Sequence, residues 1–296
     1  MAAACHRDIK GSLTLKAELG RHFHETATGL ASLLPHSGQT TGFMKRKRAF
    51  GAWKLIAVLG AAMTFLCLPA VLAVAGVDDV RETPRSRAAV EAHTPELSEA
   101  LAGKGLRLGA PVYLRLTKEP AVLTAYVANE QGVYEPFRSW PVCAFSGNLG
   151  PKQAEGDMQA PEGFYSVAPG QMNAGSAYHL AFNLGYPNAF DRAHDRTGSY
   201  LMVHGDCVSI GCYAMTDAAI EEIWTLMQTA MDEGQTAVPV HIFPFPMTAA
   251  NLQRHASDPN AAFWRSLAPA WAAFDETGHV PVVHVSGGMY EVEPAA

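Results

Sequence analysis

The sequence predicts a β-rich α+β protein, in which a curved mixed sheet or sandwich packs against one or two helices. From residue 111 onward, short runs of apolar, β-branched and aromatic residues alternate with turn residues, which is typical of strands. In the middle of that region, residues 216–234 repeat apolar side chains at helical spacing until a glycine ends the run. A hydrophobic content of 48% is enough for a sizeable core.

The first 110 residues have the pattern of a leader and linker. Residues 1–43 show no sustained period and precede a second methionine, so we interpret them as a disordered leader or a misassigned start. Residues 44–77 begin with a basic stretch and continue as an apolar run, typical of a signal peptide or membrane anchor. Residues 78–110 are interpreted as a linker with one helix near 95–103. We therefore expect a periplasmic or cell-envelope protein that meets the membrane only through its N-terminus.

The charge distribution argues against a nucleic-acid partner. The chain carries 22 Lys and Arg against 28 Asp and Glu, a net charge of −6. Nine of the basic residues but three of the acidic ones lie before residue 76, so the remainder is strongly acidic. Binding to nucleic acid requires a basic footprint, which that remainder does not offer.

Residues 111–245 are predicted to form the catalytic unit. Strands are expected at residues 111–116, 121–128, 133–137, 140–146, 178–184, 200–203 and 238–243. A glycine-rich loop at 147–152 does not have the spacing of a phosphate-binding loop. Residues 246–296 are predicted to be a C-terminal helical extension, with helices at 249–255 and 261–274 and a strand at 280–285.

One loop between a strand and the predicted helix carries the residues that indicate chemistry. His204 and Gly205 follow the strand, and Ser209, Gly211 and Cys212 follow within eight residues. A nucleophilic thiol needs a base within hydrogen-bond reach and donors for an oxyanion. His204 is the candidate base, Cys212 the candidate nucleophile, and the amides around Gly211 and Cys212 the candidate donors. A helix starting just after Cys212 would favour its thiolate.

The pattern His204-Gly205, then Ser209-Ile210-Gly211-Cys212, resembles the signature of the L,D-transpeptidase catalytic domain (the YkuD-like family). Ile210 stands where the family usually has a second histidine, and no basic residue follows the cysteine. These departures resemble the YafK-type branch. The resemblance covers about residues 111–245 and includes a turn at 160–165 that is similar to the family's Thr-Pro-x-Gly-x-Phe/Tyr turn.

The resemblance implies the YkuD-like fold and a cysteine-dependent L,D-transpeptidase that remodels peptidoglycan through a thioester on Cys212. Its substrates would be stem peptides, with another stem peptide or a wall-linked lipoprotein as acceptor, and it would need no metal or organic cofactor. The Gly205 carbonyl would orient His204. A loop at 186–191 would lie beside the substrate cleft, so Tyr186, Asn188 and the preceding His179 are the candidate substrate-binding residues.

Several alternatives stay open. A YafK-type hydrolase would use the same residues to detach proteins or terminal residues from peptidoglycan. A zinc site of His204, Cys207 and Cys212 would have a spacing that matches no common finger. A non-catalytic wall-binding module would not need both the cysteine and the histidine. Ser209 either steadies the loop or lines the oxyanion site, or it is a turn serine bonded to its own backbone, and His179 is either structural or a substrate contact.

Cysteine counting adds a constraint. If the N-terminal segment is removed, Cys143, Cys207 and Cys212 remain. An odd number of cysteines in an oxidising compartment leaves at least one unpaired, and we expect that one to be Cys212. Cys143 and Cys207 either pair with each other or are both buried thiols.

Overall fold

The computed structural model describes residues 81–293. The predicted leader at 1–43 and the predicted signal or anchor at 44–77 lie outside these residues. Between residues 81 and 293 the chain forms two five-stranded sheets, a two-stranded hairpin and five α-helices. No helix within that range is both long enough and apolar enough to cross a membrane.

The first sheet consists of β1 (Val112–Lys118), β2 (Ala121–Ala128), β3 (Tyr134–Pro141), β5 (Gly163–Val167) and β10 (Val238–Phe243). Its strand order is β3-β2-β1-β10-β5, in which β1 and β10 are parallel and the other neighbours are antiparallel. Side chains alternate between the two faces of a strand. Along β1, Val112, Leu114 and Leu116 therefore face the main apolar core, whereas Tyr113 faces the other side.

The second sheet is made of shorter strands: β4 (Ala144–Phe145), β6 (Met172–Asn173), β7 (Ala181–Asn183), β8 (Met202–His204) and β9 (Tyr213–Ala214). Its order is β4-β9-β8-β7-β6, and β8 and β9 are the parallel pair. The strand predicted at 178–184 is shorter than expected. His179 has φ +66°, a left-handed conformation that a strand cannot contain, so the strand begins only after it.

Part of the predicted linker is a packed helix, α1 (Pro84–Ala102), which is much longer than the helix expected near 95–103. Thr83 caps it by accepting a hydrogen bond from the Ser86 amide, and Pro84 occupies the first turn, where proline is favourable. Leu97 and Leu101 are fully buried in the main core. The prolines that suggested breaks thus begin the helix or lie inside it.

Two further helices lie near the predicted site. The short α2 (Ala189–Ala193) is capped by Asn188. The predicted helix at 216–234 is confirmed as α3 (Asp217–Asp232), with Thr216 as its N-cap. Its apolar face, which includes Ile220, Ile223 and Trp224, is buried in the main core, and the same helix packs against α1.

After β10 the chain forms α4 (Ala249–Arg254), α5 (Ala261–Thr277) and a hairpin of β11 (Val282–Ser286) and β12 (Met289–Glu293). β12 was not predicted from the sequence. Aromatic side chains of α5 pack on the face of the first sheet that points away from the main core: Trp264 joins the Phe164 and Phe243 cluster, and Phe274 contacts Tyr113.

Candidate active site

The two parallel strands β8 and β9 bring the candidate base and nucleophile to the same part of the second sheet. His204 is paired with Ala214, and Val203 with Tyr213. Val203 and Tyr213 face the main core, so His204 points to the opposite face. Cys212 immediately precedes β9, and continuing the alternation places it on the same face as His204.

Cys212 directly precedes a strand rather than a helix, contrary to expectation. β9 separates it from α3, which begins five residues later at Asp217. The field of a helix terminus is concentrated within its first turn. The contribution of the helix to the thiolate is therefore expected to be smaller than the sequence suggested.

His204 is held in one orientation and one tautomer. Its Nδ1 lies 2.6 Å from the Gly205 carbonyl oxygen, which can only accept, so Nδ1 carries the hydrogen and Nε2 of the neutral ring is a base. The Tyr178 ring lies 4.9 Å from the imidazole, centroid to centroid. Burial lowers the pKa of His204, while the Gly205 bond and the Asp206 charge oppose that shift. The ring is consequently neutral at pH 7.

Cys212 carries the thiol of the site. Its side chain is buried, and Sγ lies 3.8 Å from the Tyr200 carbonyl oxygen. Cys143 and Cys207 form a disulfide with a Cα–Cα distance of 5.2 Å, which resolves the pairing that the sequence left open. The disulfide also removes the Cys207 sulfur from the three-ligand zinc site considered above.

Ser209 and Gly211 shape the turn before the nucleophile. The Ser209 hydroxyl donates to the Cys212 carbonyl at 2.6 Å and accepts from the Gly211 amide at 3.2 Å. These are the contacts of a turn serine. The Gly211 amide, expected to bind an oxyanion, is engaged in this turn. Gly211 has φ +148°, which favours glycine.

Gly205 packs against the start of α3. Its amide donates to the carbonyls of Tyr178 and Leu180 at 3.0 and 3.1 Å. A Cβ at this position would come within 2.5 Å of Asp217 Oδ1 and 2.9 Å of His179 Cβ, so only glycine fits without a shift.

The three predicted substrate residues have structural partners. His179 Nε2 lies 2.6 Å from Glu221 Oε1 of α3. The Asn188 side chain accepts from the Asp191 amide and donates to the Phe164 carbonyl, and the Tyr186 hydroxyl donates to the Lys152 carbonyl. Their contact with substrate stays a prediction.

Asn188 also lines a cavity of about 540 Å³ together with Phe164, Arg192 and His241. Neither His204 nor Cys212 is among the residues that line it. His241 and Phe164 belong to β10 and β5, so this cavity lies at the first sheet, whereas the candidate nucleophile belongs to the second.

Three residues near the site were missed by sequence reasoning. The Tyr178 ring contacts the His204 ring with an angle of 41° between the ring planes, and Asp217 accepts a hydrogen bond from the Asp206 amide at 2.8 Å. Tyr200 has φ +55° and is about half exposed beside Cys212. Asp217 could have been found from its position directly after the N-cap of a predicted helix. The contacts of Tyr178 and Tyr200 depend on how distant segments of the chain pair, which no local pattern reveals.

Two curated proteins are similar to this chain. No family model matches it. A protein of Escherichia coli strain K12 named "Putative L,D-transpeptidase YafK" is 48% identical over 186 residues, which is 62% of this chain and 75% of the relative. The protein of the same name from E. coli O157:H7 gives the same figures. The chain belongs to the L,D-transpeptidase family, and within it is similar to YafK.

Two solved structures also resemble the chain. The helical cell shape determining protein Pgp2 of Campylobacter jejuni, as its K307A mutant, is 20% identical with a TM-score of 0.37, covering 65% of this chain and 66% of Pgp2. Bd1075 of Bdellovibrio bacteriovorus is 22% identical with a TM-score of 0.31, covering 56% of this chain and 60% of Bd1075.

Proposed function

We propose that the chain is a cysteine-dependent L,D-transpeptidase that acts on peptidoglycan stem peptides, with Cys212 as nucleophile and His204 as base. The observation that carries the proposal is the placement of His204 in β8 and of Cys212 directly before the adjacent parallel strand β9, with His204 Nδ1 committed to the Gly205 carbonyl. Membership of the L,D-transpeptidase family supports the substrate class.

In the first half of the reaction, Nε2 of His204 takes the Cys212 proton as the sulfur attacks the carbonyl of an L-centred residue. The carbon–nitrogen bond to the terminal D-residue breaks, and the imidazolium gives its proton to the departing amine. The product is a thioester on Cys212. The low pKa of His204 keeps the ring in the neutral form that this step requires at pH 7.

In the second half, His204 takes a proton from the incoming nucleophile, which attacks the thioester and releases the thiol. An amine of another stem peptide or of a wall-linked lipoprotein gives transpeptidation, and water gives the hydrolytic alternative. Both outcomes use the same two residues and need no metal or organic cofactor. The mass of the product separates them.

The test is mass spectrometry of purified muropeptides incubated with the full-length chain and with Cys212→Ala. Loss of the terminal D-residue with formation of a cross-linked product supports transpeptidation, and loss without a cross-link supports hydrolysis. Cys212→Ala should give neither. An active Cys212→Ala protein with correct folding by circular dichroism would overturn the assignment.

We also propose export to the periplasm or cell envelope. The basic and apolar segment at 44–77 supports it, as does the Cys143–Cys207 disulfide, because structural disulfides persist in oxidising compartments. An alkaline phosphatase reporter fused after residue 110 should be active, since it needs the oxidising exterior. A reporter fused instead to residues 81–110 alone should be inactive, and equal activity of the two fusions would contradict export.

A further inference from the structure

The loop between His204 and Cys212 contains two consecutive residues in an unfavourable backbone conformation. Asp206 has φ +65° and Cys207 has φ +45°. Left-handed conformations cost free energy in residues with a Cβ and persist only where the surroundings impose them. Contacts from outside the loop must therefore hold it in place.

Three such contacts are present. The Asp206 amide donates to Asp217 Oδ1 at 2.8 Å, and the Cys207 amide donates to the Met215 carbonyl at 3.2 Å. The third is covalent, because Cys207 is joined to Cys143 by the disulfide. Met215 in turn donates its amide to the His204 carbonyl at 2.7 Å, so the held loop is tied to the base itself.

The other end of the disulfide borders the nucleophile strand. The Cys143 amide donates to the Ala214 carbonyl at 2.8 Å, and β4, which follows Cys143, pairs with β9. β4 has two residues, so its own ladder is short. The Ser146 and Ser209 hydroxyls, 3.2 Å apart, add one further link between this edge and the loop. The disulfide thus connects the loop that precedes Cys212 to β4, the edge strand that pairs with β9 after Cys212.

The two bridged cysteines are exposed, whereas Cys212 is 1% exposed. A small dithiol can therefore reach the bridge without unfolding the chain. In that reaction the dithiol supplies two electrons and two protons, the Cys143–Cys207 bond becomes two thiols, and the dithiol becomes a cyclic disulfide.

We propose that the Cys143–Cys207 disulfide is a positioning element for the His204–Cys212 pair, so that opening it lowers the reactivity of Cys212 while the fold persists. The inference rests on the proposed roles of Cys212 and His204. Without the bridge, Asp206 and Cys207 can relax to favourable φ values. The relative positions of His204 and Cys212 are then no longer fixed. A purely stabilising disulfide would change the midpoint of unfolding but leave the reactivity of Cys212 in the folded protein unchanged.

The experiment measures alkylation of Cys212 by iodoacetamide in the full-length chain, resolved by peptide mass spectrometry, between pH 5 and 10. The double variant Cys143→Ser/Cys207→Ser should show a midpoint raised by about one pH unit, which corresponds to about a tenfold slower reaction at pH values well below the wild-type midpoint. Leu97→Ala is the matched control, because it destabilises the core of α1 without touching the loop. Its alkylation profile should equal that of the wild type.

A second measurement covers the case in which the double variant does not fold. The wild-type chain is reduced with dithiothreitol, desalted at intervals and alkylated, while circular dichroism follows the fold. Cys212 reactivity should fall as the bridge opens, with the dichroism unchanged. Reactivity that stays constant after the bridge opens, or that falls only with the dichroism, would overturn the proposal.

Asp217 provides an independent variant with the bridge intact. Asp217→Ala removes the acceptor for the Asp206 amide and should shift the profile in the same direction, whereas Asp217→Asn keeps an acceptor and should restore it. Alkylation reports on the thiol alone. If the variants shift the profile but the wild type has no muropeptide activity, the proposed function is refuted and the positioning is not. If the wild type is active but the variants do not shift the profile, the positioning is refuted and the proposed function is not.

Discussion

Trp264 donates its indole N–H to a carboxylate oxygen of Glu162 at 2.8 Å, with both side chains buried. The other Glu162 oxygen lies 3.0 Å from Lys118 Nζ and accepts the Gly150 amide at 2.7 Å. Helix α5 therefore supplies one partner of a buried carboxylate that belongs to the turn before β5. The C-terminal residues share this polar group with residues 111–245, so we expect them to stabilise that part of the chain.

Trp264→Phe should destabilise the protein by about 1–3 kcal/mol, because it leaves a buried carboxylate oxygen without its donor. Trp271→Phe is the matched control, since within residues 81–293 the indole N–H of Trp271 has no hydrogen-bond partner, although its ring contacts Arg115 and Phe243. Urea unfolding would measure both. An equal loss in the two variants would show that the Glu162 bond contributes little.

Gly205→Ala should impair the site through crowding. The added Cβ must displace Asp217 Oδ1 or His179 Cβ, which would lie 2.5 and 2.9 Å away. We expect a cost of about 1–3 kcal/mol in stability and slower acylation of Cys212, because the Gly205 carbonyl that orients His204 moves. Gly170→Ala, where an added Cβ meets nothing within 4 Å, should stay within about 0.5 kcal/mol of the wild type. Similar behaviour of the two variants in unfolding and acylation assays would contradict the expected crowding.

The rate at which the carbapenem meropenem acylates Cys212 should not fall until the pH is below 6.5. His204 can accept the thiol proton only when its ring is neutral, which is the case at pH values above its pKa. Burial lowers that pKa below 6.5. The acid limb of single-turnover acylation, read by intact mass, should therefore lie below that value. His204→Ala should reduce the rate by about 10²–10⁴-fold, while His284→Ala, in the exposed hairpin, should not. An acid limb above pH 6.5 would conflict with the assigned base.

His241 should make the fold sensitive to acid. It is buried, its Nδ1 lies 3.2 Å from the Tyr113 hydroxyl oxygen, and burial together with the Arg115 charge lowers its pKa to about 3. Between pH 6.5 and about 3, the unfolded chain binds a proton that the folded chain does not. Stability from this group is thus complete above pH 6.5 and falls as the pH falls, by about 2 kcal/mol at pH 5.

The double variant His241→Phe/Tyr113→Phe removes this histidine and its partner together, so no polar group is stranded. Its loss of stability between pH 7.5 and 5 should be smaller than that of the wild type by about 2 kcal/mol. Urea titrations at the two pH values measure the difference. The same loss in both proteins would mean that another group accounts for the acid sensitivity.

The sequence predicted those helices and strands that are determined by their own residues and immediate neighbours. Thr216 and the apolar repeat after it identified α3, and the apolar run at 238–243 identified β10. The loop with His204 and Cys212 was recognisable because the proposed chemistry requires these residue types at short spacing. Each of these signals is contained in a few consecutive residues.

The remaining features depend on contacts between distant segments. β9 has two residues, and its place before α3 is fixed by pairing with β8 and β4. α1 was predicted too short because Pro84 and Pro95 suggested breaks, whereas burial of Leu97 and Leu101 offsets the cost of the internal proline. The left-handed φ of His179 and the Cys143–Cys207 pairing likewise depend on contacts between segments that are far apart in the sequence, so no local pattern predicts them.

The disulfide has a consequence for the order in which an exported chain matures. Leaving a translocation channel N-terminus first, Cys143 emerges 64 residues before Cys207, and Cys207 emerges before Cys212. Within residues 81–293, the first cysteine to emerge after Cys143 is thus its partner in the disulfide, and Cys212 emerges later. Cys207→Ser would leave Cys143 with Cys212 as its remaining partner in residues 81–293, so we expect some newly exported chains to carry a Cys143–Cys212 bridge, detectable in a non-reducing digest. We therefore expect Cys207 to protect Cys212 from capture by Cys143 as the chain matures.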